Sequence, residues 1–235
     1  MAREVVAVVG AAGGVGASTL AALLARHSAA RGAGTVLVDL DLWRGGIEVL
    51  LGIEAVPGVR WPDLKQVRGR LAAADLEGVL PRWGRVEVLS ATRPASLLEP
   101  AAVEAVWASL VAARGTIVVD LPAEAVLGSA PGAGEVLASR PEVLLTTGQD
   151  VLGVAGALAA ANHLVSLRTQ LVLRRRRRAR VAPLEAAHLL GLPVAGLLPE
   201  DRRVAEAVDR GFGPAISGRS ALARAVARVA AGVGG

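Results

Sequence analysis

A glycine-rich segment near the start of the chain has the composition of a phosphate-binding loop. Residues 10–19 read Gly-Ala-Ala-Gly-Gly-Val-Gly-Ala-Ser-Thr and join an apolar run, residues 5–9, to an Ala- and Leu-rich stretch. Closely spaced glycines let backbone N–H groups converge on one phosphate, and the N-terminus of a following helix adds a partial positive charge. A tight turn that uses glycine only for packing is the alternative. Three glycines within four positions, followed one residue later by a Ser-Thr pair, favour the phosphate site.

One interpretation of this loop is a dinucleotide site. The spacing Gly-x-x-Gly-x-x-Gly over residues 10–16, with acidic Asp39 about 20 residues further on, is similar to a dinucleotide-binding fingerprint. The string also resembles that of malate dehydrogenases, which need a histidine with a carboxylate partner. His163 and His188 lie in apolar stretches of helical character, and the chain has no tyrosine for the chemistry of short-chain dehydrogenases. An NAD-dependent dehydrogenase therefore stays as the alternative.

The other interpretation is a nucleoside triphosphate loop of the Walker A type. Residues 11–18 fill the eight positions of Gly-x-x-x-x-Gly-Lys-[Ser/Thr], with Gly16 and Ser18 in place. Ala17 occupies the position of the lysine. Lys65 is the only lysine of the chain, and its polar surroundings in the sequence indicate a solvated surface position.

The wider pattern resembles the deviant Walker ATPases of the MinD/ParA superfamily. Residues 13–19, Gly-Gly-Val-Gly-Ala-Ser-Thr, match a string of its CpaE/TadZ branch letter for letter. Three further motifs follow in the family order: residues 36–43, Val-Leu-Val-Asp-Leu-Asp-Leu-Trp; residues 117–122, Ile-Val-Val-Asp-Leu-Pro; and residues 191–201, which end in Pro-Glu-Asp. Residues 59–64, Val-Arg-Trp-Pro-Asp-Leu, resemble actinobacterial septum-site-determining and secretion-neighbourhood CpaE-like proteins.

This resemblance implies a site for ATP or ADP with Mg²⁺. The residues that it assigns to the nucleotide are Gly13, Gly14, Val15, Gly16, Ala17, Ser18, Thr19, Pro199, Glu200 and Asp201. It assigns the Mg²⁺ to Ser18, Asp39 and Asp120, the aspartates acting through water, and it gives Asp41 the role of orienting an attacking water. A single aspartate at a strand end is often only a loop or capping residue. Three at the family spacing favour the functional interpretation.

The loop lacks the positive charge that its relatives carry. Ala12 replaces the signature lysine of the superfamily, and Ala17 replaces the second one. Loss of comparable charge, such as an arginine finger, costs phosphoryl transfer about 10³- to 10⁵-fold. We therefore expect weak or absent hydrolysis, with binding retained through backbone donors. Arg44 follows Asp41 closely and offers one substitute charge, although a loop arginine is ordinarily solvated.

Basic residues cluster where MinD-like proteins place an Asn-Arg pair near the base. Residues 174–178 are five consecutive arginines, and Arg180 follows. This cluster would suit phosphates or anionic lipid, but a solvated loop is the favoured interpretation, and no specific nucleic acid partner is predicted. Residues 222–229 space apolar residues at helical intervals beside arginines. A helix that caps the sheet is favoured there over one that lies on a membrane.

The elements that must position these residues follow from the apolar patterning. The chain has 235 residues, of which 53% are hydrophobic, and contains no cysteine, so disulfides and thiol chemistry are excluded. The predicted strands are residues 5–9, 35–40, 86–90, 116–121, 142–147, 169–173 and 193–197. The predicted helices are residues 17–31, 100–114, 151–167, 184–190, 202–210 and 219–231. Residues 57–81 are predicted as short helices outside the sheet, residues 128–134 as a loop, and residues 151–167 as a buried helix.

Strands that are apolar throughout and alternate with helices indicate a parallel sheet covered on both faces. We therefore predict a single α/β domain over residues 1–235 with a doubly wound, mainly parallel sheet, and the resemblance to the MinD/ParA superfamily implies that it is of the P-loop NTPase type. In such folds the ligand lies outside the carboxyl ends of the strands. All the candidate residues fall at that edge.

The resemblance also implies a cellular role. CpaE/TadZ proteins position pilus or secretion machinery, and septum-site-determining relatives act on cell division. The chain is accordingly expected to be a positioning factor for a Tad-type pilus or secretion system, with a septum regulator as the alternative. A homodimer, contact with pilus, secretion or division proteins, and a cytoplasmic location are expected. A peripheral contact at the inner membrane or cell pole is left open.

Overall fold

The computed structural model describes residues 4–42, 46–92, 98–113, 115–126, 131–175, 179–214 and 216–233. The strands are β1 (Glu4–Gly10), β2 (Thr35–Asp39), β3 (Arg82–Trp83), β4 (Val86–Leu89), β5 (Thr116–Leu121), β6 (Glu142–Gly148), β7 (Thr169–Arg174) and β8 (Val194–Leu198). The helices are α1 (Ala17–Ala30), α2 (Ile47–Leu51), α3 (Trp61–Leu64), α4 (Pro100–Ala113), α5 (Ala123–Val126), α6 (Ala133–Ala138), α7 (Val151–His163), α8 (Pro183–Leu190), α9 (Arg202–Asp209) and α10 (Ala221–Gly232), and a 3₁₀ turn spans Ala73–Leu76.

The eight strands form one sheet in the order β3-β4-β2-β5-β1-β6-β7-β8. Every neighbouring pair is parallel except β3 with β4, which is antiparallel. Two apolar clusters lie on opposite faces of the sheet: α1 and α10 cover one face, and α4, α7 and α8 cover the other. The predicted doubly wound, mainly parallel architecture is confirmed, and each predicted strand is present to within one residue at either end.

Two of the predicted segments differ from the structure. The helix predicted over residues 151–167 ends at His163 and is buried on one face only, since Val151 is 68% and Leu152 84% exposed. Only one side of this helix packs on the sheet, through small residues such as Ala157. Because the outer side carries no charged residue, the sequence does not show that it is exposed. The loop predicted over residues 128–134 is partly wrong, because α6 begins at Ala133. Residues 127–130 lie outside the described residues.

No helix in the described ranges has both the length and the apolar character that a bilayer crossing requires.

One arginine, Arg60, binds helix α2 and the loop that follows it through hydrogen bonds. The guanidinium of Arg60 donates from Nε to Glu48 at 2.6 Å, and from Nη2 to the carbonyl oxygens of Ile53 and Val56 at 3.1 and 2.8 Å. Both members of the Arg60–Glu48 ion pair are largely buried. Arg60 thus has a structural role in the motif at residues 59–64, because it donates hydrogen bonds to the carbonyl groups of the loop after α2.

A close backbone approach fixes the far end of α2. Gly52 ends this helix with φ +69°, and a Cβ built on it would overlap the carbonyl oxygen of Gly211, in the turn after α9. Since that oxygen belongs to backbone, it cannot rotate away as a side chain would. The contact therefore requires glycine for two separate reasons, the left-handed conformation and the missing Cβ.

We expect Gly52→Ala to destabilise the protein by roughly 3 kcal/mol, combining the cost of the left-handed conformation with that of the overlap. Gly69→Ala is the matched control, because Gly69 also has a positive φ of 73° but nothing within 4 Å of its Cβ position. That variant should lose only about 1 kcal/mol. Urea denaturation measures both values, and equal losses would show that the approach to Gly211 is not tight.

Candidate functional site

The glycine-rich loop joins β1 to α1 at the carboxyl edge of the sheet. Its conformation needs glycine where φ is positive, at Gly14 (74°) and Gly16 (88°). Gly16 is the residue before α1 and offers no side chain to cap it, so the first N–H groups of the helix point toward the loop without a side-chain partner. An uncapped helix start beside exposed glycines is the arrangement that binds phosphate.

A cavity of about 560 Å³ opens over this loop, and we name it the phosphate cavity. It is lined by residues 10–19, Asp39, Asp41, Gly46, Ile47, Leu50 and residues 120–124. The structure thus brings together the loop residues 13–19 with Asp39, Asp41 and Asp120, as the sequence predicted. Their individual roles stay predictions.

The order of the strands decides which acidic residue stands next to the loop. β5 lies between β1 and β2, and Asp39 of β2 pairs in register with Asp120 of β5. In the dinucleotide-binding fold the first two strands are neighbours, in the order 3-2-1-4-5-6. The inserted β5 therefore argues against the dehydrogenase interpretation, since Asp39 is separated from the loop by the strand that carries Asp120.

Asp39 accepts hydrogen bonds from two backbone donors and one side-chain donor. Its carboxylate oxygens accept hydrogen bonds from the N–H groups of Asp41 at 2.9 Å and Ile47 at 3.3 Å. Its own carbonyl oxygen accepts a hydrogen bond from the indole Nε1 of Trp61 at 2.8 Å. The start of α2 and the start of α3 are therefore both tied to this one residue. Trp61 belongs to the motif at residues 59–64, and no pattern in the sequence predicts this contact.

The two paired carboxyl groups are strongly buried. Burial raises the pKa of Asp39 to about 8, and the charge of Asp120 adds to the rise. Burial also raises the pKa of Asp120 to about 6, while the hydrogen bond from Ser18 opposes the rise. Two carboxylates in one dry site repel each other and are costly to ionise unless a cation joins them.

The donor set suits Mg²⁺ with a partial water shell. It consists of oxygen atoms alone, from the Ser18 hydroxyl and the carboxyls of Asp39 and Asp120, and Ser18 is already hydrogen-bonded to Asp120. Within the described ranges, no three His, Cys, Asp or Glu side chains are grouped closely enough to hold a metal directly. Mg²⁺ typically keeps several waters and takes few protein ligands, so the residues fit the predicted ion.

A second cavity of about 250 Å³, the side cavity, adjoins the first. Gly16, Thr19 and Leu50 line both cavities, and apolar residues of α1, α9 and α10 form most of the remaining wall. Of the residues predicted to lie near the base, Pro199 and Asp201 line the side cavity, whereas Glu200 is exposed and does not. The carboxylate of Asp201 also caps α9 by accepting from the N–H of Arg203.

The positive charges fall differently from the sequence expectation. Lys65 is exposed and lines neither cavity, as predicted for a solvated residue. Arg44 and residues 176–178 lie outside the described residues. Arg174 instead reaches the loop, and sequence reasoning missed it because it grouped this residue with a solvated arginine run. Only its place at the end of a predicted strand could have indicated this position.

We expect the folded protein without Mg²⁺ to lose stability as the pH rises from about 4 to about 8. An unfolded aspartate has a pKa of about 3.9, so in this window the folded chain holds a proton on Asp39 that the unfolded chain has released. The free energy of unfolding then falls as pH rises. Asp39→Asn should flatten this slope and raise the unfolding free energy at about pH 8 by on the order of 2 kcal/mol.

Urea denaturation in EDTA, followed by far-ultraviolet circular dichroism across this pH range, measures the slope. Glu206→Gln, a change at an exposed carboxylate of α9, is the control and should keep the wild-type slope. If Asp39→Asn also keeps that slope, Asp39 is already ionised in the folded protein.

Comparisons with known proteins agree with this geometry. The family model of the CobQ/CobB/MinD/ParA nucleotide binding domain matches residues 6–214. An uncharacterised protein of Mycobacterium tuberculosis is 37% identical over 227 residues, which cover 96% of this chain but 62% of that protein. The chain therefore spans under two thirds of the length of this relative.

Among solved structures, a ParA family ATPase from Chlorobium tepidum superposes with a TM-score of 0.81 at 17% identity, covering 98% of both chains. The septum site-determining protein MinD from Pyrococcus horikoshii, complexed with Mg-ADP, superposes with a TM-score of 0.72 at 22% identity, covering 98% of this chain and 95% of that one. These two likenesses establish the fold. With the family model over most of its length, the chain belongs to the CobQ/CobB/MinD/ParA family of nucleotide-binding domains.

Proposed function

We propose that the chain binds ADP or ATP with Mg²⁺ in the phosphate cavity. One observation carries this proposal: the uncapped N-terminus of α1 and the Ser18, Asp39 and Asp120 oxygens line the same cavity. The backbone N–H groups suit phosphate oxygens, and the paired carboxyls suit the cation that accompanies a nucleotide. The Mg-ADP complex of the Pyrococcus horikoshii MinD, which shares the fold, supports the same pairing of ligand and ion.

Hydrolysis of ATP at this site is slow or absent. Neither Ala12 nor Ala17 can donate a charged hydrogen bond, and Lys65 lines neither cavity. Asp41 lines the phosphate cavity and is the candidate for orienting an attacking water. Without the charge that stabilises the transferring phosphoryl group, an oriented water is not enough for fast turnover.

The cellular role that we propose is that of a positioning factor for Tad-type pilus or secretion machinery. Its support is the resemblance of residues 13–19 to the CpaE/TadZ branch and the assignment of the chain to this family. A bound nucleotide that is consumed slowly can bias a partner-binding state, since a ligand shifts a population by its differential affinity. The septum regulator stays as the second candidate, favoured by residues 59–64 and by the fold of the MinD neighbours.

A homodimer through the nucleotide face belongs to the same proposal. Ala12, Gly13 and Gly14 are exposed at the top of the loop. α7 packs against the loop, because a Cβ on Gly156 would lie 2.8 Å from the carbonyl oxygen of Ala11. The start of α7 therefore places exposed Val151 and Leu152 on this side of the molecule, where apolar surface favours contact between proteins. We infer a cytoplasmic site of action, with a peripheral contact at the inner membrane or cell pole through the partner machinery.

We expect the purified chain to bind ADP and ATP more tightly with Mg²⁺ than without it, and not to bind NADH. Asp120→Asn should remove most of this Mg²⁺ dependence, at least about a tenfold effect on affinity, because it takes away a carboxylate of the ion site. ATP turnover should be at least about 10³-fold below that of a lysine-bearing loop. Isothermal titration calorimetry and a phosphate-release assay measure these quantities.

Glu200→Gln is the control for that experiment. Glu200 lies between Pro199 and Asp201, which line the side cavity, but it is itself exposed and does not line it. It should bind as the wild type does. Tight binding of NADH without a response to ATP would reverse the proposal. Binding of neither nucleotide would indicate a scaffold that keeps only the fold.

In cells, a fluorescent fusion that replaces the native copy should localise to discrete sites. Gly16→Arg should become diffuse, because Gly16 has φ +88° and a Cβ at this position would lie 2.7 Å from Nη1 of Arg174. Asp41→Ala should keep binding but change how long the fusion stays in place. Fluorescence microscopy with assays of pilus assembly and septum placement measures the outcome, and a diffuse wild-type fusion with both processes normal in the deletion strain would rule out both roles.

A further inference from the structure

Arg174, the last residue of β7, extends over the glycine loop. A Cβ built on Gly16 would lie 2.7 Å from Nη1 of Arg174, so the guanidinium packs directly against the backbone of Gly16. The contact joins two distant parts of the chain, the end of β7 and the residue immediately before α1. The absence of a side chain at Gly16 thus serves the arginine as well as the loop conformation.

This guanidinium has no close ion-pair partner among the described residues, and the carboxyl groups that line the same side cavity are those of Asp201 and Asp209. The arginine is half-buried, and no carboxylate of the described ranges lies within 4.0 Å of its guanidinium. Its neighbour on the loop is the start of α1, which carries the partial positive charge of a helix N-terminus and has no side-chain cap. A cation that is partly desolvated against a positive helix end is unfavourable by itself. The pair of positive groups becomes favourable when an anion lies between them.

The position of Arg174 within the site indicates which part of a nucleotide it would meet. It lines the side cavity but not the phosphate cavity, and Gly16, on which it rests, lines both. Asp39 and Asp120, the candidate ion ligands, line the phosphate cavity and not the side cavity. The arginine is therefore on the side of the loop that faces away from the metal site.

We propose that Arg174 supplies the positive charge of this loop and contacts the nucleotide at the phosphate next to the ribose, on the boundary between the two cavities. This inference rests on the proposed nucleotide binding. A lysine at position 12 or 17 would address the phosphates from within the loop, whereas Arg174 addresses them from β7. The terminal phosphate then has no positively charged side chain of its own from the described residues, so the site binds ADP and ATP with similar affinity.

The test compares Arg174→Ala and Arg174→Lys with Arg175→Ala. Arg175 is the matched control, since it is the next residue but is exposed and lines a different cleft, beside Arg224 and Arg228. Titration calorimetry with Mg-ADP, Mg-ATP and adenosine should show that Arg174→Ala weakens both nucleotides by the same factor, about 10- to 100-fold, and leaves adenosine unchanged. Arg174→Lys should recover part of the loss, and Arg175→Ala should bind as the wild type does.

A spectroscopic measurement separates a charge contact from a structural role. In ³¹P nuclear magnetic resonance at saturating ADP, Arg174→Ala should shift the resonance of the α-phosphorus and leave that of the β-phosphorus near its wild-type position. Circular dichroism of the variants confirms that they are folded. A variant that binds nucleotide as tightly as the wild type overturns the inference and leaves the proposed function intact.

Two other results would also overturn it. A loss for ATP much larger than for ADP would place the charge at the terminal phosphate, and an equal loss for adenosine would place the arginine on the base. If the wild-type chain binds no adenine nucleotide, the proposed function and this inference both fail. In each of the other contrary results the wild type does bind nucleotide, so only the role of Arg174 fails.

Discussion

Two buried carboxyl groups that face each other on neighbouring parallel strands are the constraint on which the site depends. Asp39 and Asp120 stand in register at the carboxyl ends of β2 and β5, and burial makes both difficult to ionise. Such a pair can exist only where protons or a cation compensate it. The backbone donors of Asp41 and Ile47 compensate part of the charge at Asp39, and in doing so they fix where α2 begins.

The sheet order follows from the same constraint. Because β5 lies between β1 and β2, one acidic strand end is directly beside the glycine loop and the second is one strand further away. The Ser18 hydroxyl at the start of α1 reaches the nearer of them, Asp120. The candidate phosphate donors and the candidate metal ligands therefore lie at the same edge of the sheet and line one cavity. The backbone N–H groups of the loop remain donors with alanine at positions 12 and 17, so the proposed nucleotide binding does not require a lysine there.

The strands could be predicted from the sequence because a parallel sheet that is covered on both faces leaves each strand apolar along its whole length. The order of the strands could not, since it depends on contacts between segments far apart in the chain. The two-residue strand β3 and helix α2 were missed for a local reason: β3 is too short to show a period, and α2 begins after Gly46 without a side-chain cap.

In the candidate site, too, features that depend on local sequence could be predicted and features that depend on contacts between distant segments could not. The glycine loop and the aspartates could be predicted, because the proposed phosphate and Mg²⁺ chemistry requires particular residue types at short spacings. The roles of Arg174 and Trp61 could not, since each depends on the direction of a long side chain toward a distant strand or loop. The exposure of Val151 and Leu152 on α7 could not be predicted either, because large apolar residues in a helical segment indicate core positions.

The hydrogen bond from Trp61 to Asp39 gives the protein an internal optical probe. The chain has no tyrosine and only four tryptophans, so its intrinsic emission arises from indole rings. Trp61 is almost fully buried and touches the residue whose carboxyl carries the most strongly displaced pKa of the site. A gain or loss of charge on that carboxyl changes the electric field across the ring in a medium that screens it poorly. We therefore expect the part of the emission that arises from Trp61 to shift in wavelength with the charge on that carboxyl, without any attached label.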